Sequence, residues 1–209
     1  REVGGFDAVT LRGFGNVTVT QGDHTALTIE AAEDVMQRVT TEVEDGVLVL
    51  GLGEGGWVNG LKKKRLSIKF NVTMDRIRKL ILSGVGRIGA PSIDSDGFSL
   101  IVSGAGAIEA GSLSSESLSV ILSGAGSCEV AGKTGVQSIK LSGAGNYTAP
   151  DLECTSANAV VSGAGNATIR VQDTLDANIS GTGSIRYQGA PTVRQRVTGI
   201  GTISCTGSE

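Results

Sequence analysis

Side chains able to do chemistry are sparse in this 209-residue chain, and they do not cluster. His24 is the only histidine and follows Gly22-Asp23, with no Ser or Cys nucleophile suggested beside it. A general base must reach the proton it removes, so an isolated turn histidine reads as solvated. Asp94 and Asp96 alternate in a Ser/Asp/Gly stretch. Paired carboxylates of this kind can hold calcium or cleave sugars on a β-helical scaffold. Asp and Gly also build turns, and a solvated turn is the favoured reading. Trp57 stands in the glycine-rich segment Gly51 to Lys64, near the basic run Lys62-Lys63-Lys64-Arg65. An indole face stacks on sugars and bases, and the basic run favours an anionic partner. Trp57, Lys62, Lys63, Lys64 and Arg65 are therefore the candidate ligand-binding residues. The competing reading makes Trp57 a cap on the end of a core and the run a solvated loop.

Several chemistries are excluded by what is missing from the sequence. The three cysteines form no Cys-x-x-Cys and no Cys/His cluster, so no metal or redox site is expected. No Gly-x-Gly-x-x-Gly opens a helix, and no calcium-binding Gly-Gly-x-Gly-x-Asp repeat occurs. No cofactor is expected. A net charge of −3 gives no general attraction to nucleic acid or to an anionic membrane. No apolar stretch reaches the roughly 18 residues that a bilayer span needs. The chain opens on Arg1-Glu2-Val3 without a signal segment, which reads as a mature or trimmed terminus.

The elements that must position these residues are set by a repeat. Seven copies of one motif run through the chain: Ser83-Gly84-Val85-Gly86, Ser103-Gly104-Ala105-Gly106, Ser123-Gly124-Ala125-Gly126, Ser142-Gly143-Ala144-Gly145, Ser162-Gly163-Ala164-Gly165, Ser180-Gly181-Thr182-Gly183 and Thr198-Gly199-Ile200-Gly201. Successive copies lie 20, 20, 19, 20, 18 and 18 residues apart. A fixed period near 20 marks a solenoid. Apolar columns stand one and three residues before each motif and five and seven residues after its first residue. Polar residues alternate between them, as in strands with one buried face. Each repeat thus reads as a strand, a glycine corner and a second strand, with a third short strand near Ile93, Leu113 and Leu152. The small polar residue after the motif (Ser127, Asn146, Asn166, Ser184, Thr202) would stack into a ladder. Asn16, Asn71, Asn146 and Asn166 each begin an Asn-x-Thr triplet and read as ladder or strand residues. Cys128 and Cys205 fall in the inward columns as buried free thiols. Cys154 lies outside them, and a disulfide to a neighbouring coil stays open.

The first third departs from the period. Leu11 to Val19 resembles Leu141 to Ala149 and reads as an eighth, divergent coil. Val39 to Leu52 reads as a hairpin turning at Glu44-Asp45-Gly46, because Asp-Gly between alternating hydrophobics favours a type I′ turn. Leu27 to Glu30 and Leu66 to Val72 read as strands, and Ala31 to Arg38 as the one helix. The expected division is 1–75, a β segment with a divergent coil, hairpin and basic loop, and 76–209, a regular β-helix of about seven coils.

The serial Leu-Ser-Gly-Ala-Gly-Asn coils follow Asn16-Val17-Thr18-Val19-Thr20-Gln21-Gly22-Asp23 and then Val39-Thr40-Thr41-Glu42-Val43-Glu44-Asp45-Gly46-Val47-Leu48. In that order these segments resemble the bacterial auto-transporter adhesin "head GIN" domain family, over about residues 6 to 205. The resemblance implies a β-helical domain of envelope or secreted proteins, frequent in Bacteroidetes, and carries over no catalytic residue. The expectation is an all-β chain: a single-stranded, right-handed parallel β-helix with irregular N-terminal strands. Its expected role is a non-enzymatic, adhesin-like binding or structural domain at the cell envelope or outside the cell. The expected partner is a surface glycan or an envelope protein. A β-helical polysaccharide-active enzyme and a self-assembling architectural module, hence a homo-oligomer, are the alternatives.

Overall fold

Alternating apolar residues between glycine corners give long, one-sided strands, and the computed structural model is built almost entirely from them. It describes residues 4–53 and 67–207. The elements are β1 (Ala8–Leu11), β2 (Phe14–Gln21), β3 (Ala26–Glu30), α1 (Glu33–Met36), β4 (Val39–Glu44), β5 (Val47–Leu52), β6 (Lys69–Met74), β7 (Lys79–Leu82), β8 (Val85–Ala90), β9 (Ile93–Val102), β10 (Ala105–Leu122), β11 (Ser127–Leu141), β12 (Asn146–Val161), β13 (Asn166–Ile179), β14 (Ser184–Gln188), β15 (Thr192–Val197) and β16 (Thr202–Cys205). Parallel strands stack as a β-solenoid of about six turns, with 70% of residues in strands.

One sheet face runs β15-β13-β12-β11-β10-β9-β7-β1-β5, all parallel, and ends in the antiparallel β4. A second runs β16-β14-β13-β12-β11-β10-β8-β2-β6 and ends in the antiparallel β3. Gly15 registers with Gly86, so Arg12 to Gly15 is the divergent corner that the sequence indicates. The β4–β5 hairpin turns at Asp45 (φ 49°) and Gly46 (φ 76°), both left-handed as a type I′ turn requires. The helix is one turn, with Val35 buried.

The expected strand, corner, strand unit needs correction. β11, β12 and β13 each run unbroken from the residue after one motif to the residue before the next. The remaining bends occur inside these strands, where register slips between Glu129 and Gly132 and between Ala149 and Glu153. Such bulges bend a strand without ending its pairing. Ile93, Leu113 and Leu152 are buried as the third side of the coil; Leu113 and Leu152 lie within continuous strands, and Ile93 opens β9.

The corner is the tightest part of each coil. Ser142 and Gly143 N–H both donate to Leu122 O (2.9 and 3.3 Å), and Ala144 N–H donates to Gly124 O (3.2 Å). The same trio recurs at Ser103, Ser123, Ser162 and Ser180. A Cβ on Gly143 would collide with the backbone of Ser123 and Gly124, one coil below. Of the fourteen motif glycines only Gly86 has a positive φ (150°). Close stacking, not backbone torsion, is what requires glycine at the others.

The inward columns fill the rod. Leu82, Val102, Leu122, Leu141, Val161 and Ile179 are buried before the corners, and Ile88, Ile108, Cys128, Tyr147, Ala167 and Ile185 after them. The pattern fails at the last coil. Val197 is 43% exposed, and Cys205 is exposed rather than buried, because no described coil covers them. Cys154, expected outside the inward columns, is buried. It is free, and its thiol donates to Arg170 O at 3.2 Å. Tyr147 O–H donates to Oε1 of the fully buried Gln137 (3.2 Å), which satisfies a phenol that the core would otherwise strand. Burial raises the Cys128 and Cys154 thiols from the ordinary 9.0 to about 12.

Two outcomes are expected. Gly143→Ala should lower stability by on the order of 3 kcal/mol, since backbone on both sides of the contact cannot yield. Ser138→Val, on an exposed strand position, should change it by less than about 0.5 kcal/mol. Equal melting temperatures for the two variants would contradict the stacked corner. The second outcome concerns pH. The folded state holds the Cys128 proton more tightly than the unfolded chain, so its stability contribution is intact below the unfolded thiol pKa. It is lost as pH rises from 9 toward about 12, at about 1.4 kcal/mol per pH unit. Cys128→Val should flatten that alkaline decline in thermal melts; identical slopes would contradict the burial.

Candidate binding groove and side-chain ladders

Stacking in register turns every outward column into a row of side chains along the rod. After the corners the row reads Ser127, Asn146, Asn166, Ser184. Ser184 Oγ–H donates to Asn166 Oδ1 (2.7 Å), and Asn166 Nδ2–H donates to Asn146 Oδ1 (3.0 Å). The expected ladder therefore exists, although its bonds run between side chains. The corner carbonyls are met by the motif hydroxyls instead: Ser83 Oγ–H donates to Leu11 O (3.3 Å) and Ser162 Oγ–H to Leu141 O (3.4 Å). Asn16 and Asn71 lie in β2 and β6.

A shallow groove of about 460 Å³ crosses β9 to β13 where the strands bend. One row through it is Asp94, Ser114, Lys133, Glu153, Arg170. Asp96 and Glu116 also line it. This corrects the reading of Asp94 and Asp96 as a solvated turn: they are exposed, but they stand on β9. Gln21 pins that strand. Asp94 N–H donates to Gln21 Oε1 (2.8 Å), and Gln21 Nε2–H donates to Asp94 O (3.0 Å) and Asp75 O (3.1 Å). The sequence missed the row because its members lie on five different coils, and register slips between β10 and β13 put them out of step with the motif. Lys133 Nζ lies 3.3 Å from Glu153 Oε2 in an exposed pair, which contributes little stability but offsets charge in the row. Beneath them Ser115 Oγ–H donates to Thr134 Oγ1 (2.9 Å), with Cys154 at the floor. Among the described residues no group of three or more His, Cys, Asp or Glu could hold a metal ion. The groove offers rows of donors and acceptors of mixed sign, suited to a hydroxyl-rich ligand.

His24 is exposed, with Nδ1 3.0 Å from Asp23 Oδ1. That hydrogen bond lowers the Asp23 carboxyl. No nucleophile is described beside the pair. Trp57, Lys62, Lys63, Lys64 and Arg65 lie outside the described residues. The chain enters that segment after β5 and returns at β6.

The solved structure of a putative adhesin from Bacteroides fragilis NCTC 9343 is similar over 98% of this chain and 94% of its own, at 25% identity and a TM-score of 0.88. A putative adhesin from Parabacteroides merdae ATCC 43184 matches over 98% and 93% of the two chains, at 21% identity and a TM-score of 0.69. A putative lipid binding protein from Parabacteroides distasonis ATCC 8503 matches over 99% and 95%, at 22% identity and a TM-score of 0.72. The last two show the fold alone. No curated protein matches the chain. No helix among the described residues is long and apolar enough to cross a membrane. The family model described as "Putative auto-transporter adhesin, head GIN domain" matches residues 5–191. With that match spanning most of the solenoid, the chain belongs to this head GIN domain family.

Proposed function

We propose that this domain is a non-enzymatic, adhesin-like binding and structural module that works at the cell envelope or outside the cell. The observation that carries the reading is membership of an adhesin-named family over residues 5–191. The physics of the rod supports it. Its interior is filled by side chains, and its outer rows repeat hydroxyls and amides at the coil spacing. Such rows favour many weak contacts over one deep site. The partner class is a surface glycan or an envelope protein. Trp57 with Lys62, Lys63, Lys64 and Arg65 is the anchor that composition favours, since aromatic and cationic side chains dominate recognition energies.

A second reading has one observation behind it. The groove brings Asp94, Asp96 and Glu116 onto neighbouring coils, the kind of arrangement a polysaccharide-active enzyme uses. Lys133 beside Glu153 in the next coils interrupts the acidic row, and the adhesin reading is preferred.

A glycan array probed with the purified chain separates the two. Trp57→Ala and the triple change Lys62/Lys63/Lys64→Ala should each weaken binding about tenfold or more, with little change in melting temperature. Asp94→Asn with Asp96→Asn should leave binding intact. Release of reducing ends from a bound polysaccharide, abolished by the aspartate changes, would replace the adhesin reading with the enzyme. Unaltered binding in both Trp57 and lysine variants would move the contact elsewhere.

A further inference from the structure

The two ends of the rod are complementary. At the C-terminal end, β15 is the last strand of its face among the described residues and is parallel to β13. Arg194 and Arg196 are exposed on it, with no ion pair among the described residues. Val197, in the inward column, is 43% exposed. At the other end of the same face lies β4, antiparallel to β5, with Glu42, Val43 and Glu44 exposed. Val43 is 39% exposed. Each end therefore shows an incompletely covered valine beside charged residues, basic at one end and acidic at the other.

The register makes the match specific. The column that begins at Arg194 passes through Asp176, Asn158, Ser138, Ser119, Ser99, Lys79, Ala8 and Val47 and ends at Glu44. The column that begins at Arg196 ends, two residues along, at Glu42. Gln195 shares its column with Val43. Moving one copy along the rod axis thus sets β4 beside β15 of the next, antiparallel, with Arg194 opposite Glu44 and Arg196 opposite Glu42. On the second face Ile203 of β16 shares a column with Ile29 of β3, both half-buried.

We infer that copies of this chain stack head to tail through these ends, extending the solenoid across molecules. Strand addition supplies backbone hydrogen bonds, and the charge pairs fix the register. Pairing like ends is disfavoured, because antiparallel β15 strands centred on Gln195 place Arg194 against Arg196. A head-to-tail interface does not close on itself, so growth continues past two copies. Glu44 already meets Arg12 at 3.0 Å, but both side chains are about half exposed, which leaves the carboxylate able to take a second partner. The assembly is independent of the adhesive role.

Sedimentation velocity over a concentration series of the full chain tests it. The wild-type chain should grow beyond a dimer with concentration, and less so at high salt. Arg194→Glu/Arg196→Glu and Glu42→Arg/Glu44→Arg should each weaken self-association about tenfold or more. An equimolar mixture should regain it, since each variant then offers the end the other needs. Arg196→Glu alone, at an exposed side chain, serves if a double variant fails to melt like the parent. A wild-type chain that stays monomeric, a complex that stops at two copies, or unaltered association in the charge-reversed variants would each overturn the inference.

Discussion

The contact between one glycine corner and the next, through Gly Cα and the backbone carbonyl of the coil below, is the constraint on which the solenoid depends. Three N–H groups of each corner from Ser83 to Ser180 are satisfied by carbonyls one coil away. That pattern is open only while no Cβ stands between them. With the corners seated, coils of 18 to 20 residues stay in register along the whole rod even though bulges shift their far sides. The apolar columns need no long-range specification of their own. They are aligned because the corners are.

Function follows from the same regularity. A repeated outward position becomes a line of identical chemistry, as the bonded Asn146, Asn166 and Ser184 show. A non-repeated position becomes a local feature. The groove over Asp94, Lys133 and Glu153 is one place where outward residues change sign from coil to coil. The rod also has two unlike ends, because antiparallel β3 and β4 close one while parallel β15 and β16 leave the other as it was built.

Much of this was legible in the residues. The motif period gives the solenoid, and the columns flanking it give the core from Leu82 to Ile185. Asp45-Gly46 gives the hairpin because its left-handed turn is a local property. The errors came where a local rule was carried past a bulge or an end. Counting by twos from the corner places Cys154 outside the core, but the register slip beyond Ala149 resets which residues face inward. The Ser/Asp/Gly composition around Asp94 reads as a turn, but pairing with the next coil holds it in a strand. The column rule also calls Cys205 buried, since a sequence column does not say whether a further coil covers it. Trp57 and the basic run sit in a stretch with neither period nor alternation, where composition is the only guide.

Amide hydrogen exchange at the corners tests the central constraint most directly. Each of Ala105, Ala125, Ala144 and Ala164 donates its N–H to a glycine carbonyl in the coil below. If stacked corners hold the rod, these four amides should be protected as strongly as the strand centres around Val120, Ile139 and Ala159, and should exchange only with global unfolding. Exchange at loop rates for the four alanines, with the strand centres still protected, would mean that the strands hold the coils together and the corners merely follow.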